Sequence, residues 1–557
     1  MRRSTVAALW LIVTASVCGG VVMAVELLGA RMLSVGYGGS LIVWAAMISV
    51  TLLSLALGYF IGGLLADLAP RPWLLHVIVI IAAGLVAACP CFGFVLERFY
   101  DRMGLQLGAL TSSLVIFFAP LCLLGMVGPF VIRLLTKGRR VGVTAGGVYA
   151  LSTLGSVAGT LGTAMLLIPE CGTGTGFRIV AGVTAATGAI GLVTAVGWES
   201  SVALLLPFAL AFFPGPRGHE KGEMFETPTN RPAVVLDVLD SPYGQIMVVE
   251  IGSERAGERL LVVNGIQQTG MSATLRRGQA QHGELLAQGY HQELLPYLSD
   301  APVAGRAGDG ADTRRTALLI GLAGGTTAAM FRNHHVHVTA VDLDPKIIEV
   351  ARKWFAYPSE GEATAVAADG RRFLEDCDRR FDFCVIDTYS GDTFPFQLAT
   401  VEAFRAARRV LKPGGVLAVN FIGRPGGRPF ASVHRTLAAV FPHVLAIRDN
   451  AGDDVQTVTI FASDRSIREE LNRARDRMLD DQEFCPGGPM IATVGGGPRP
   501  PGSSQTWDHV VRLIVAPDAD AGMILTDAHS PIDLMRMDEA VRWRQLAIER
   551  LGRNILF

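Results

Sequence analysis

Hydrophobic and polar positions alternate in two different ways along this chain. Up to about residue 198 the apolar residues form blocks that contain no Asp, Glu, Lys or Arg: Ser4–Val25, Met32–Ala66, Trp73–Leu96, Met103–Ile132, Val141–Pro169 and Ile179–Trp198. Each is long enough to cross roughly 30 Å of hydrocarbon as a helix, so six membrane helices are predicted within residues 1–216. Ser200–Pro216 is a seventh candidate, short and holding Pro207 and Pro214; it crosses, lies in the interface or folds back. The opening Met1-Arg2-Arg3 and apolar run has the look of a signal peptide. The run continues to Val25, however, with no small-residue cleavage site and further spans behind it, so it reads as the first membrane helix.

The helix count sets the side on which the rest of the chain lies. With the N-terminus inside, the inner loops carry Arg2, Arg3, Arg71, Lys137, Arg139 and Arg140. The outer loops carry Arg31, Arg98 and Arg102 beside Glu97 and Asp101, and Arg178. This bias favours the N-terminus inside. Six crossings then put the second half in the cytoplasm at the inner membrane, and a seventh would put it outside. Glu26 and Arg31 are expected to flank a helix end, since charges in such regions mark function or helix termini. Gly58, Gly62 and Gly63, and again Gly155, Gly159 and Gly162, recur at spacings that permit close helix packing.

After residue 217 the pattern changes. Residues 217–232 are rich in Pro, Gly and charge and read as a linker. Residues 233–300 hold three alternating segments, Ala233–Val238, Gln245–Ile251 and Arg259–Val263, punctuated by Tyr243-Gly244 and Asn264-Gly265; they predict a small antiparallel β unit. Glu284–Leu298 reads as helix and the Gly/Asp/Arg-rich 304–316 as a loop. Residues 301–557 contain a strand–helix alternation from Thr316, with strands at Ala317–Ile320, His337–Val341, Ala363–Ala367, Phe383–Ile386 and Val416–Asn420. Helices are expected at Pro345–Phe355 and Leu398–Val410. Alternation of this kind predicts a doubly wound, methyltransferase-like α/β sheet. The Pro/Gly-rich stretch Gly487–Ser504 reads as an insertion loop.

Composition sharpens the division. Half of the 557 residues are hydrophobic and 18% are charged. The net charge of −1 gives no reason to expect nucleic-acid binding. The eight cysteines show no paired metal spacing; they read as reduced or buried thiols, and no metal site is expected.

The turns after successive strands carry the chemistry. Gly321-Leu322-Ala323-Gly324-Gly325-Thr326 follows the first strand, where glycines let backbone approach a ligand at a helix N-terminus. Asp342 ends the second strand, placed to accept ribose hydroxyls. Asp369-Gly370 follows the third strand, where the carboxylate can accept from an adenine amino group, and Asp387 follows the fourth. Ligands of open α/β sheets bind at these strand ends. The loop lacks the G-x-G-x-x-G order of nicotinamide sites. The ordered set points to an adenosyl nucleotide of the S-adenosylmethionine type.

With these residues in hand, the chain resembles the spermidine synthases (polyamine aminopropyltransferases) in their membrane-fused bacterial form. Further similar pieces are Gly147–Ala150, Leu167–Pro169, Ser241-Pro242-Tyr243-Gly244-Gln245, Asn264–Gln268, Tyr290-His291, Val341–Pro345, Leu525–Asp527 and Ser530-Pro531. The resemblance implies transfer of an aminopropyl group from decarboxylated S-adenosylmethionine, a co-substrate and not a resident cofactor, to putrescine or a related amine. It implies Asp387 as the base that accepts a proton from the attacking amine. Gln245, Gly321, Gly324, Asp342, Asp369 and Gly370 would hold the nucleotide, with Tyr290, His291 and Ser390 toward the amine. A homodimer is also implied. The sequence departs from the family at Ala323, Ser390 and Gln292, where acids are usual. Two other readings stay open: another S-adenosylmethionine-type transferase acting on a membrane-proximal or less cationic acceptor, and a transporter or sensor with a nucleotide-binding domain.

Overall fold

The fold is described from a computed structural model over residues 2–39, 41–136, 141–197, 221–252, 257–272, 290–298, 315–358, 363–389, 391, 394–452, 454–480, 511–518 and 521–552. The chain divides into two compact units. One contains the helical residues together with 238–245; the other contains 221–237 and the chain from Ile246.

The helical unit consists of α1 (Arg2–Tyr37), α2 (Leu41–Leu68), α3 (Pro72–Ala88), α4 (Gly93–Gly125), α5 (Val127–Leu135), α6 (Val141–Gly162) and α7 (Ile168–Val196). A π turn at Thr163–Leu167 joins the last two. Five runs among the described residues are long and apolar enough to cross a membrane: Val6–Tyr37, Leu41–Leu68, Pro72–Leu96, Gln106–Leu135 and Val141–Val196. The last run, Val141–Val196, is 56 residues long, which is enough for two crossings. Within it the expected spans Val141–Pro169 and Ile179–Trp198 fall on either side of a kink at Gly172 (φ 75°, ψ 168°), where one helix ends and another begins. The candidate span Ser200–Pro216 lies outside the described residues. Glu26 and Arg31 lie inside α1 rather than at its end, since that helix continues to Tyr37. Apolar character is not needed to extend a helix, which is why the change in composition misplaced its terminus.

Close packing decides which small residues matter. α1 packs on α6 and α7, and α2 on α4. A Cβ on Gly155 would lie 1.9 Å from the Ser16 carbonyl oxygen, and one on Gly159 2.3 Å from that of Gly20. Gly58 similarly meets the Cys122 carbonyl and Gly62 the Met126 backbone, whereas Gly63 and Gly162 face open space. Only the residues spaced by four form the contact face.

The second unit carries a five-stranded antiparallel sheet in chain order: β1 (Met224–Glu226), β2 (Pro232–Asp240), β3 (Gln245–Ile251), β4 (Glu258–Val263) and β5 (Ile266–Ser272). β1 falls in the stretch read as linker, and β5 was not foreseen. A 3₁₀ segment, Tyr290–Tyr297, replaces the described end of the expected helix Glu284–Leu298, the remainder of which lies outside the described residues. Most of 304–316 and all of 487–504 also lie outside them.

The larger element is an α/β sheet with strands β6 (Thr316–Ile320), β7 (His337–Asp342), β8 (Ala363–Ala367), β9 (Phe381–Ile386), β10 (Leu411–Gly423), β11 (His443–Arg448), β12 (Gln456–Ser463) and β13 (Ile514–Val515). The order is β13-β11-β12-β10-β9-β6-β7-β8. β10, β9, β6, β7 and β8 run parallel, while β12 pairs antiparallel with β10, β11 antiparallel with β12 and β13 antiparallel with β11. The intervening helices are α8 (Thr326–Asn333), α9 (Pro345–Trp354), α10 (Gly370–Asp376), α11 (Val401–Arg409), α12 (Arg428–Ala438), α13 (Ile467–Asp480), α14 (Ile532–Met535) and α15 (Met537–Leu551). Alternate residues of each central strand point to opposite faces. Ala317 and Leu319 enter one core with Phe383 and Phe461, and Leu318 and Ile320 enter the other with Phe404 and Phe421. The fold class is therefore the expected one: a helical N-terminal half, a small antiparallel unit and a methyltransferase-like mixed sheet.

Candidate active site

The chain runs β6, β7, β8 to one edge of the sheet and then returns to place β9 on the other side of β6. Connections leave in opposite directions from β6 and β9, which opens a crevice at their carboxyl ends. The amide of Asp387 donates to the Ile320 carbonyl at 2.9 Å and keeps the two strand ends together. Gly321 turns away immediately afterwards at φ 96°, and a Cβ there would sit 2.0 Å from the Asp387 carbonyl oxygen. Only glycine satisfies both the backbone angle and the approach. The turn then passes through Ala323, a non-glycine at φ 48°, to Gly325 at the start of α8.

Asp342 holds this loop from the end of β7. Its Oδ2 accepts from the Leu322 amide and its Oδ1 from the Asp344 amide, both at 2.9 Å. Burial pushes its carboxyl up, while these amides and that of Ala323 pull it down. An ionised carboxylate has about four lone-pair sites, so beside these three amides capacity remains for one further donor. Asp369 is exposed and caps α10, accepting from the Arg372 amide at 2.8 Å. Beside it, a Cβ on Gly370 would strike the Ile320 side chain. Gly324 packs similarly against Thr269 and Phe355.

Asp387 is the centre of the arrangement. Asn420 Nδ2 donates to its Oδ1 at 2.7 Å and Gln292 Nε2 to its Oδ2 at 3.1 Å. Gln292 is itself held, because Thr327 Oγ1 donates to its Oε1 at 2.7 Å. Burial drives the Asp387 carboxyl above its ordinary range, and the two amide donors offset part of that rise. The carboxyl lines a narrow cleft of about 30 Å³ together with Gln267, Gln268, Tyr389, Asn420 and Trp543. Tyr389 forms a rigid wall. Its hydroxyl accepts from the Ile422 amide at 2.7 Å, and the Arg536 guanidinium stacks over its ring while donating to the Ile422 carbonyl.

The remaining predicted residues are distributed differently. Gln245 begins β3 and groups with the helical unit. Ser390 lies outside the described residues, and of Tyr290 only the backbone is described, at the start of the 3₁₀ segment. His291 is buried and is not among the residues lining the cleft. Its Nε2 donates to the Arg448 carbonyl at 3.1 Å and lies 3.8 Å from Asp449 Oδ1. Burial pushes the Asp449 carboxyl up to about 7. The neighbour Gln292 reaches Asp387 instead, since adjacent residues of a tight helical turn point in different directions. Asn420 was missed as a site residue. Its signal was a polar side chain closing an otherwise apolar strand. Trp543, more than 150 residues beyond Asp387, left no local signal. Among the described residues, no group of His, Cys, Asp or Glu could hold a metal ion.

Comparison with known proteins adds to this geometry. The family described as a methyltransferase domain matches residues 317–415, the span from β6 to the start of β10. A probable polyamine aminopropyl transferase of Bifidobacterium longum is 33% identical over 135 residues, which is 24% of this chain and 30% of that protein. An N-terminal histidine N-methyltransferase of Emericella nidulans is 30% identical over 162 residues, 28% of this chain and 29% of that protein. The chain thus spans under a third of the length of these two curated relatives. A solved structure of a probable spermidine synthase from Corynebacterium glutamicum is 21% identical, covering 44% of this chain and 86% of its own, at a TM-score of 0.36. The α/β half resembles the polyamine aminopropyltransferases.

Proposed function

We propose that the α/β half is a transferase that moves the aminopropyl group of decarboxylated S-adenosylmethionine to an amine, putrescine or a relative, giving spermidine or its counterpart and methylthioadenosine. The observation that carries this reading is Asp387: a burial-raised carboxyl at the sheet's switch point, lining a cleft and clasped by two amide donors. The sulfonium donor is already activated. The protein must therefore hold two partners in line and accept one proton from the ammonium that forms. Asp387 takes that proton. Asp342, Asp369 and the Gly321–Gly324 turn hold the adenosyl part. The same reading puts the catalytic half in the cytoplasm, with the apolar helices in the inner membrane.

A second reading, methyl transfer from S-adenosylmethionine itself, is favoured by the match of residues 317–415 to a methyltransferase domain. Incubating the full chain in detergent with each donor and putrescine, followed by mass spectrometry, separates the two. Methylthioadenosine from the decarboxylated donor is expected. S-adenosylhomocysteine with a methylated amine would establish the second reading in its place. Asp387→Asn is expected to slow transfer by at least 10²-fold; unchanged turnover would remove Asp387 as the base.

A further inference from the structure

The cleft at Asp387 does not end at Trp543. Three of its lining residues, Ile266, Gln267 and Trp543, also line a second and larger hollow of about 420 Å³ between β5 and α15. That hollow continues along α15 past Leu546, Ala547 and Leu551. Its two charged members, Glu549 and Arg550, are exposed and of opposite sign, so it presents no net charge. The combined space runs from one carboxylate into an apolar groove, within the size range of small-molecule sites.

The charges of the described residues that line the inner cleft bear on what those residues can hold. Of the described residues lining it, Asp387 alone is charged. Asn420 and Gln292, which clasp that carboxylate, are neutral amides. In the proposed reaction Asp387 serves the attacking nitrogen. A second ammonium on the acceptor would lose water without meeting another carboxylate among these residues, which is costly. An apolar tail faces the opposite situation: the adjoining groove removes it from water.

We infer that the acceptor is an amphiphilic monoamine, its amino group at Asp387 and its apolar chain in the groove between β5 and α15. The inference rests on the transferase reading above. The neutral amine attacks the methylene carbon beside the sulfonium, forming the C–N bond. The C–S bond breaks and its electron pair stays on sulfur as the thioether. The proton of the new ammonium passes to Asp387. The membrane-length helices of the same chain suit such a substrate, because amphiphiles concentrate in a bilayer.

The test uses the full chain in lipid nanodiscs with decarboxylated S-adenosylmethionine. Methylthioadenosine release is followed with putrescine and with primary n-alkylamines of increasing length. Pentylamine, which replaces the second ammonium of putrescine by a methyl group, is the decisive comparison. kcat/KM is expected to exceed that of putrescine for pentylamine and to rise roughly fourfold per added methylene. Leu546→Glu is expected to flatten the rise. A flat series with putrescine preferred overturns this inference and leaves the transferase reading intact. A flat series in which Leu546→Glu lowers the oligomer mass by light scattering also overturns it, since a second copy then covers the groove. Absence of methylthioadenosine with every amine overturns both readings.

Discussion

Gln292 Nε2 donates to Oδ2 of Asp387 at 3.1 Å, although 95 residues separate them. The amide fixes the carboxylate's orientation and favours its charged form against the burial that opposes it. If Asp387 is the base, kcat/KM rises with pH as that carboxyl ionises, along a limb above the ordinary carboxylate range. Gln292→Leu removes a donor to the charged form, so the limb is expected to move further up by up to about one pH unit. Gln292→Glu adds a like charge and is expected to move it further still. A pH profile of kcat/KM checks both, and an unmoved limb in both variants would separate Gln292 from the base.

Asp449 provides a stability test independent of activity. Its carboxyl is pushed up to about 7 in the folded chain by burial. The folded state therefore binds the proton more tightly than the unfolded one. The resulting stability is fully present below the unfolded value near 4 and is lost as pH rises through about 7. Asp449→Asn keeps a partner for Thr457 without the buried charge. It is expected to come close to the parent at pH 3 and to exceed it at pH 8, by as much as about 4 kcal/mol. Thermal unfolding at the two pH values measures this, and equal effects at both would refute it.

The glycine turn makes a paired prediction. Gly321→Ala places a Cβ against the Asp387 carbonyl in a backbone region that L residues avoid. A loss of about 1–3 kcal/mol is expected, with transfer impaired because Asp387 must move. Ala323→Gly relieves a residue already at φ 48° and is expected to be neutral or stabilising by up to about 1 kcal/mol. Denaturant midpoints of the two variants, compared side by side, test the assignment.

In the helical unit, Gly159→Leu is expected to separate α1 from α6, since even a Cβ would overlap the Gly20 backbone. Gly162→Leu, three residues on and facing open space, is expected to be tolerated. Thermal scans in detergent should show a clear fall in Tm for the first alone.

The sequence by itself determined the division into an apolar helical half and an α/β half, because composition and hydrophobic period are local properties. The strands β6 to β10 and the acids at their ends were legible for the same reason: each strand is a short apolar run closed by a polar turn. The sequence could not decide which elements meet. β12 inserts between β10 and β11, β5 completes the small sheet, and α15 brings Trp543 beside Asp387. Strand order depends on packing that no local pattern encodes, and the last placement joins segments more than 150 residues apart. The helix boundary near Arg31 was misjudged for a related reason, since backbone hydrogen bonds carry a helix through polar residues. Tertiary structure also assigned the neighbours of Asp387. Adjacent in sequence, His291 turns to the Arg448 carbonyl and Gln292 to the carboxylate, because a tight helical turn aims successive side chains apart.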